Sequence, residues 1–330
     1  MFMHNMRGMA LTAKVLGASG FAGGEIGRIL SGHPGIAVVA AGAGAHAGRP
    51  WAGVHPQLAG VADLELVTVE TALAVDADIC FSCLPSATLA ALAAGEEARL
   101  IVDLSADFRA DEGWVYGLTE LVRPELKDAD QVSNPGCYPT ASLLALVPFA
   151  RMGVIEGPVI IDAISGVSGA GRRLEDRLLF AGVDGNATAY GTVEHRHVPE
   201  IERGLEMFGG LRTTVSFTPH LAPMSRGLLV TARAKVTSPL DDDDARSILD
   251  DAYAFEPFVR VISEWPATKP VGGSNAAHVS ARVDRRNGLL VCAAAIDNLG
   301  KGAAGQAVQN ANAALGLDET AGLGTVGIWP

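Results

Sequence analysis

Residues 12 to 108 constrain the fold most, because short apolar runs and helix-patterned segments follow one another there without a break. "TAKVLGASG" reads as an apolar strand ending in glycines, and "GGEIGRILSGHP" as a helix with Ile26, Ile29 and Leu30 on one face. "GIAVVAAG" is another buried-type strand and "DLELVTV" a further one; "DADICFSCLP", the Ala/Leu-rich helix "SATLAALAAGEEA" and "RLIVDLSADF" continue the series. Apolar strands alternating with helices of this length form a parallel sheet covered on both faces.

After "PGCYPT" the pattern changes. A helix near 139–151 leads to the strand "PVIIDAISG" and the glycine-rich loop "SGVSGAGRR". "TTVSFTPHL", "RGLLVTARAKV" and, after a turn at Asn287-Gly288, "GLLVCAAAID" read as strands with fewer helices between them. This part is expected to be an α+β domain with a mixed sheet. The segment "GKGAAGQAVQNANAALG" has helix composition and is placed to return to the first domain. The "DDDD" run before "ARSILDDAYAF" reads as acid at an exposed helix start, where it complements the dipole.

Composition narrows the class. Of 330 residues, 48% are hydrophobic and 19% charged, enough for two packed cores. Net charge is −12 with no basic cluster, which argues against a nucleic-acid surface. Apolar stretches stay below the roughly 20 residues of a membrane span. The start "MFMHNMRGMALTAKVLG" reads as a ragged leader rather than a secretion signal. Cys80, Cys83, Cys137 and Cys292 do not form a disulfide framework, so a reducing, cytoplasmic setting is expected.

Two places carry chemistry. In "GASGFAG" the glycines Gly17, Gly20 and Gly23 are spaced G-x-x-G-x-x-G between a strand and a helix. That context suits a dinucleotide pyrophosphate resting on helix amides, and equally a structural turn. The second strand ends in "VVAAGAGAHAGRP" without an acid to grip a ribose hydroxyl, which favours NADP over NAD, with His46 or Arg49 as candidate contacts. Cys137 is expected just before a helix whose first position is Pro139, where the dipole favours thiolate and free amides suit an oxyanion. A small buried hydrophobe is the other reading of this cysteine.

"VEHRHVPEIERGL" supplies His195 and His197 beside Arg196 and Glu200. Either histidine suits proton transfer with a thiol; a zinc pair is the alternative, but no third ligand lies nearby in the sequence. Cys80 and Cys83 form C-x-x-C inside a buried-type strand and read as core. His33, His46, His55, His220 and His278 are scattered.

Together these motifs resemble one family. "VSNPGCYPTASLLALVP" matches the active-site signature of N-acetyl-γ-glutamyl-phosphate reductases, and "GASGFAGGE", "DLSADFR", "SGVSGAGR", "HRHVPEI", "GSNAAH" and "AIDNLGKGAAGQAVQ" follow the same order from residue 14 to the C-terminus. The resemblance implies an α/β fold: a Rossmann-type NADP-binding domain from 1–136 and 300–330, plus an α+β catalytic and oligomerisation domain over 137–299. It implies an NADP(H)-dependent enzyme of arginine biosynthesis acting on a small acyl phosphate, a homo-oligomer (dimer or tetramer), with neither nucleic acid, membrane nor metal.

By position, Cys137 would be the nucleophile and His195 the acid–base residue, with His197 second. Arg109 would clamp the substrate phosphate, with Glu200, Ser133 and Asn134 on the substrate side. Gly17, Ser19, Gly20, Phe21, Ala22 and Gly23 would hold the cofactor, as would Ser165, Gly166, Gly169 and Asn298. The chain departs from the family at Thr119, where proline is usual, at Gly300, where a branched apolar residue is usual, and in "LPSAT", which lacks a His-Gly.

The scheme implied is attack of Cys137 on an acyl phosphate, a thioester, and reduction to N-acetyl-glutamate 5-semialdehyde with His195 shuttling the proton. Related alternatives are a carrier-linked aminoadipyl-phosphate reductase, whose motif typically reads Gly-Cys-Asn-Ala-Thr, and aspartate-semialdehyde dehydrogenase, which lacks "HRHVPEI". A non-catalytic nucleotide-binding regulatory protein and a Cys-His acyl hydrolase are the readings from other classes.

Overall fold

The structure, a computed structural model, describes residues 10–92 and 98–329. The leader at 1–9 and the tail of the expected "SATLAALAAGEEA" helix at 93–97 lie outside the described residues. The chain forms two compact units. One runs to Asn134 and takes back Ala307–Leu323; the other comprises Pro135–Gln306 and the segment from Gly324 on.

The first unit is a six-stranded parallel sheet of β1 (Leu11–Leu16), β2 (Ile36–Gly42), β3 (Ile79–Ser82), β4 (Leu100–Asp103), β5 (Val115–Tyr116) and β6 (Gln131–Ser133), ordered β2-β1-β3-β4-β6-β5. The order reverses between β1 and β3, so the carboxyl ends of these two strands flank the crevice where open α/β sheets take ligands. Both β3 and β4 are buried along their whole length. "DLELVTV" does not become a strand: it makes only isolated bridges, Gly42 to Val67 and Pro50 to Glu65. Val67 exchanges backbone bonds with Ala41 and Ala43 at the free edge of β2, but the chain turns at once into the helix Val69–Leu73, so the pairing ends at that bridge while Leu66 packs into the core.

The second unit is a seven-stranded mixed sheet of β7 (Ile155–Ser165), β8 (Thr188–Ala189), β9 (Val215–Leu221), β10 (Leu228–Val236), β11 (Val259–Val261), β12 (Ala277–Asp284) and β13 (Leu289–Ile296), ordered β11-β12-β13-β10-β7-β9-β8. Along β10, Leu228, Val230, Ala232 and Ala234 are buried while Thr231, Arg233 and Lys235 on the other face are more exposed, the period-2 pattern of a half-covered sheet. The acidic run ends in a capping box, with Asp241 as N-cap and Asp244 reaching back to its amide, and opens the helix Asp242–Tyr253.

The chain rejoins the first unit at Ala307, not at 300 as the sequence suggested. Residues 300–306 stay with the second sheet because Asp297 holds the amides of Leu299 and Gly300 at 2.8 and 3.0 Å. Beyond Leu323 the tail returns, with the Asn275 amide on Gly324 O and the Ile328 amide on Gly272 O. Within the first unit the departure at Thr119 has a partner: its hydroxyl donates to Asn310 Oδ1 at 2.7 Å.

The helix Cys137–Arg151 is buried on nearly every side and carries Pro148 in its interior. Pro148 has no N–H, so the Leu144 carbonyl one turn earlier loses its helical donor. The Tyr253 hydroxyl, from the Asp242–Tyr253 helix, donates to that carbonyl at 2.5 Å. Tyr253→Phe is therefore expected to destabilise the protein by about 1–2 kcal/mol in urea unfolding. In a Pro148→Ala background, where residue 148 regains its amide, the same change should cost measurably less; equal costs in the two backgrounds would refute the pairing.

Candidate active site

In the first unit, the glycine loop connects β1 to the helix Phe21–Leu30 at the carboxyl edge of the sheet. Gly17 has φ +74°, and a Cβ there would lie 2.5 Å from the Cys83 carbonyl at the end of β3. A Cβ at Gly23 would lie 2.5 Å from Gly17 O. Both glycines thus press the helix start against the β1–β3 switch point. The N-cap is Gly20, whose lack of a side chain leaves the helix entrance open to an outside anion. Ser19, Phe21 and Ala22 complete this cradle, which fits a dinucleotide pyrophosphate.

The second unit builds the reactive centre. Gly136 (φ −67°, ψ 154°) is the N-cap, and Cys137 is the first residue of the 15-residue helix. Pro139, expected at the first helical position, instead stands third, still within the turn where a missing N–H costs no helical bond. Sulfur at this position meets the positive end of the helix dipole. Cys137 is half-buried, whereas Cys80 and Cys292 are buried. Burial pushes the Cys292 thiol up to about 12, and burial with the nearby Asp103 charge raises that of Cys83 further. Only Cys137 among the four combines access with a stabilising field.

Two contacts fix the turn that carries it. The Gly136 amide donates to Glu200 Oε1 at 2.9 Å, so Glu200 holds the entrance of the cysteine helix. A Cβ at Gly302 would lie 2.8 Å from the Cys137 Cβ, so only glycine lets this segment close on the cysteine. The departure at Gly300 has a similar cause, since a Cβ there would lie 2.3 Å from Ser274 O.

Cys137 opens on a cavity of about 210 Å³ that Ser165, Gly166, Gly169, Tyr190, His195 and His197 also line. His197 is the N-cap of the helix Val198–Gly209 and is 4% exposed. Its amide donates to His195 Nδ1 at 3.2 Å, so a neutral His195 ring carries its proton on Nε2. Burial, and secondarily the Arg196 charge, lower the His195 pKa to about 4. His195 is therefore a neutral Nε2–H donor near pH 7. The two imidazoles lie edge to face with centroids 4.9 Å apart, and Tyr138 is edge-on to both. The Tyr138 and Tyr190 hydroxyls meet at 2.9 Å, and burial raises both phenols, keeping them protonated.

Asn298, expected beside a nicotinamide, uses its side chain internally: Oδ1 accepts from the Gly227 amide at 2.8 Å and Nδ2 donates to Ser168 Oγ at 2.9 Å. It thereby fastens the loop containing Gly166 and Gly169. Asp297, fully buried, accepts from Arg226 at 3.0 Å and from the Gly273 amide at 2.6 Å.

The remaining expected residues belong to the first unit. Arg109 anchors its guanidinium on Asn134 O at 2.9 Å and Leu104 O at 3.0 Å. Ser133 turns toward Val115 O, and the Asn134 side chain accepts from Asn310 at 3.1 Å. These two side chains serve the first unit's own packing. Among the described residues, no group of three His, Cys, Asp or Glu is placed to hold a metal ion.

Tyr138, Tyr190, Arg177 and Gly302 escape the sequence reading. Tyr138 and Gly302 lie inside quoted signatures and could have been marked there. Tyr190 and Arg177 lie in a segment without motif or periodicity.

Residues 12–129 match the family model described as semialdehyde dehydrogenase, NAD binding domain, and residues 137–298 match semialdehyde dehydrogenase, dimerisation domain. A protein of Acidothermus cellulolyticus named N-acetyl-gamma-glutamyl-phosphate reductase is 44% identical over 98% of this chain and its own full length. One of that name from Mycobacterium avium is 45% identical over 96% of this chain and 98% of its own. Among solved structures, aspartate semialdehyde dehydrogenase II of Vibrio cholerae superposes with a TM-score of 0.75 at 17% identity, over 93% of this chain and 98% of that one. The Candida albicans aspartate semialdehyde dehydrogenase solved with NADP gives 0.66 at 14%, over 92% and 98%. These two likenesses establish the fold. The shared architecture and the near full-length relatives place the chain in the semialdehyde dehydrogenase family, among the N-acetyl-γ-glutamyl-phosphate reductases.

Proposed function

We propose that this chain reduces N-acetyl-glutamyl 5-phosphate to N-acetyl-glutamate 5-semialdehyde and phosphate with NADPH, in arginine biosynthesis. The observation that carries this reading is Cys137 at the first position of a helix, opening on a cavity that His195 and three guanidinium groups line. The full-length relatives bearing that name support the choice of substrate. Four free cysteines suit a cytoplasmic setting.

The Cys137 thiolate forms a bond to the acyl carbon, and the carbon–oxygen bond to phosphate breaks with its electron pair on the leaving phosphate. The helix-start amides and His195 Nε2–H hold the oxyanion of each tetrahedral state. By the family resemblance Arg109 would take the phosphate, its guanidinium held in place by Asn134 O and Leu104 O. By the family resemblance Gly17, Ser19, Gly20, Phe21, Ala22 and Gly23, with Ser165, Gly166 and Gly169, would hold NADPH, which would supply a hydride to the thioester carbon. The resulting alkoxide re-forms its carbonyl and expels the thiolate, so the neutral imidazole stabilises charge without a net proton transfer. The resemblance implied a proton shuttle at His195; with Nδ1 accepting from the His197 amide and the ring's basicity lowered, we assign it the donor role instead. Glu200 and Asn298 act as positioning residues, and His197 orients His195 through its amide.

The dimerisation-domain match covers the second unit, where the outward face of β7 and β10 carries Ile160, 44% exposed, between the ion pairs Arg233–Asp162 and Lys235–Glu156. This face is assigned to a homo-oligomer contact. Light scattering should give two or four chain masses, and Ile160→Glu should shift the mass downward; a monomeric wild type would refute the assignment.

In the reverse direction, NADP should be reduced with N-acetyl-glutamate 5-semialdehyde and phosphate, while aspartate semialdehyde should support little turnover. Cys137→Ser should lose activity by several orders of magnitude with its fold intact; a variant retaining wild-type turnover would end the mechanism. By ring-nitrogen NMR, His195 should titrate near pH 4, be neutral at pH 7, and carry its proton on Nε2. A midpoint near 6.5, or a proton on Nδ1, would contradict the donor role.

A further inference from the structure

The cavity beside Cys137 is cationic in a protein of net charge −12. Arg173, Arg177 and Arg196 line it, and none of its described lining residues is acidic. Two of the three are partly neutralised: Arg177 Nε lies 2.7 Å from Glu175, and Arg173 lies 3.8 Å from the same carboxylate. Arg177 also sits over the Tyr190 ring at 5.7 Å. Arg196 has no anionic partner among the described residues, although it stands between His195 and His197, whose backbone-to-ring bond fixes the turn. The groups that feel its charge are Tyr190 and His195, and that charge disfavours a protonated His195. A guanidinium kept beside a neutral imidazole, lining a cavity without a counter-ion, awaits an anion from outside.

The reductase reading gives the substrate two anionic groups, a phosphate on the reacting acyl carbon and an α-carboxylate at the other end. Arg109 serves the first in that reading. We propose that Arg196 is the specificity residue for the second, pairing with the α-carboxylate of the bound substrate. The inference rests on the reductase reading. It assigns to this chain a preference for acyl phosphates and aldehydes that bear a free carboxylate at the non-reacting end.

The test compares N-acetyl-glutamate 5-semialdehyde with 4-acetamidobutanal, the same molecule with hydrogen in place of the α-carboxylate, in the wild type and in Arg196→Gln. The wild type should favour the carboxylated aldehyde through a lower KM. Arg196→Gln should raise that KM by about tenfold or more, as expected for loss of one charged hydrogen-bonded pair, and should raise the KM of the aldehyde lacking a carboxylate far less. Arg196→Lys should recover part of the preference. Equal losses on both aldehydes, no loss on either, or a rise confined to the KM for phosphate would overturn the assignment.

Protection of Cys137 from iodoacetamide by each aldehyde reads binding without turnover. A wild type that reduces no NADP with either aldehyde would end the reductase reading. The protection assay would still decide the carboxylate contact: equal protection by the two aldehydes refutes it, and carboxylate-dependent protection lost in Arg196→Gln upholds it.

Discussion

The geometry around Cys137 depends on one buried carboxylate. Asp297 is fully excluded from water, so its charge must be met by donors, and four meet it: Arg226 and the amides of Gly273, Leu299 and Gly300. Three of these donors serve two requirements of the site. The Leu299 and Gly300 amides set the tight segment Gly300–Ala304, whose Gly302 packs against the cysteine. Arg226 draws in the loop 222–227, on which the Gly166, Val167 and Ser168 amides rest. Two walls of the cavity are therefore tied to one ion, and Asn298, the next residue along, adds the bonds to Gly227 and Ser168.

That arrangement divides labour between fixed and responsive charge. The Gly136 amide, bound by Glu200, and the Asp297 cluster are met by internal partners and hold geometry. The guanidinium groups and His195 border the cavity, where an incoming anion changes the balance of charge. A protein with net charge −12 repels anionic substrates at long range, so recognition of an acyl phosphate has to be local. Arginines concentrated on one cavity, together with backbone amides at the helix starts, provide that local field.

Much of this is legible in the sequence because it depends on local rules. A parallel sheet follows from buried-type strands alternating with helices, and Gly17 and Gly23 announce a turn where backbone must touch backbone. The acidic run at 241–244 reads as a helix start, and it caps one. What escapes depends on distant segments. "DLELVTV" has strand composition and reaches the free edge of β2, but the helix that begins at Val69 ends the pairing after one bridge, which periodicity does not report. The helix near 139–151 is legible through Pro148, but not that Tyr253, more than a hundred residues away, supplies the donor its Leu144 carbonyl lacks. For the site, Cys137, His195 and His197 lie in motifs and are visible there. Tyr190 and Arg177 reach the cavity only through the path of the long segment between β7 and β9. Asn298 stands out in the sequence as a cofactor contact, yet its side chain holds a loop. Motifs mark residues that matter more readily than they mark what those residues touch.

In the mechanism proposed above, the low basicity of His195 is the point on which the chemistry turns. A histidine that accepted the thiol proton would have to be a competent base near neutrality, with an open nitrogen facing sulfur. Here Nδ1 is occupied by the His197 amide, and burial beside Arg196 disfavours the cation. Neither step needs that base once sulfur is ionised by the helix start. Thioester formation expels phosphate, which carries its own charge away. Collapse of the thiohemiacetal expels the thiolate, restoring the starting ionisation. A donor that is neutral near pH 7 also avoids pairing with the thiolate as an imidazolium, which would stabilise the resting sulfur anion and blunt its attack. The same burial that makes His195 a poor base therefore makes it a suitable oxyanion donor, and the sulfur keeps the reactivity that the thioester route requires.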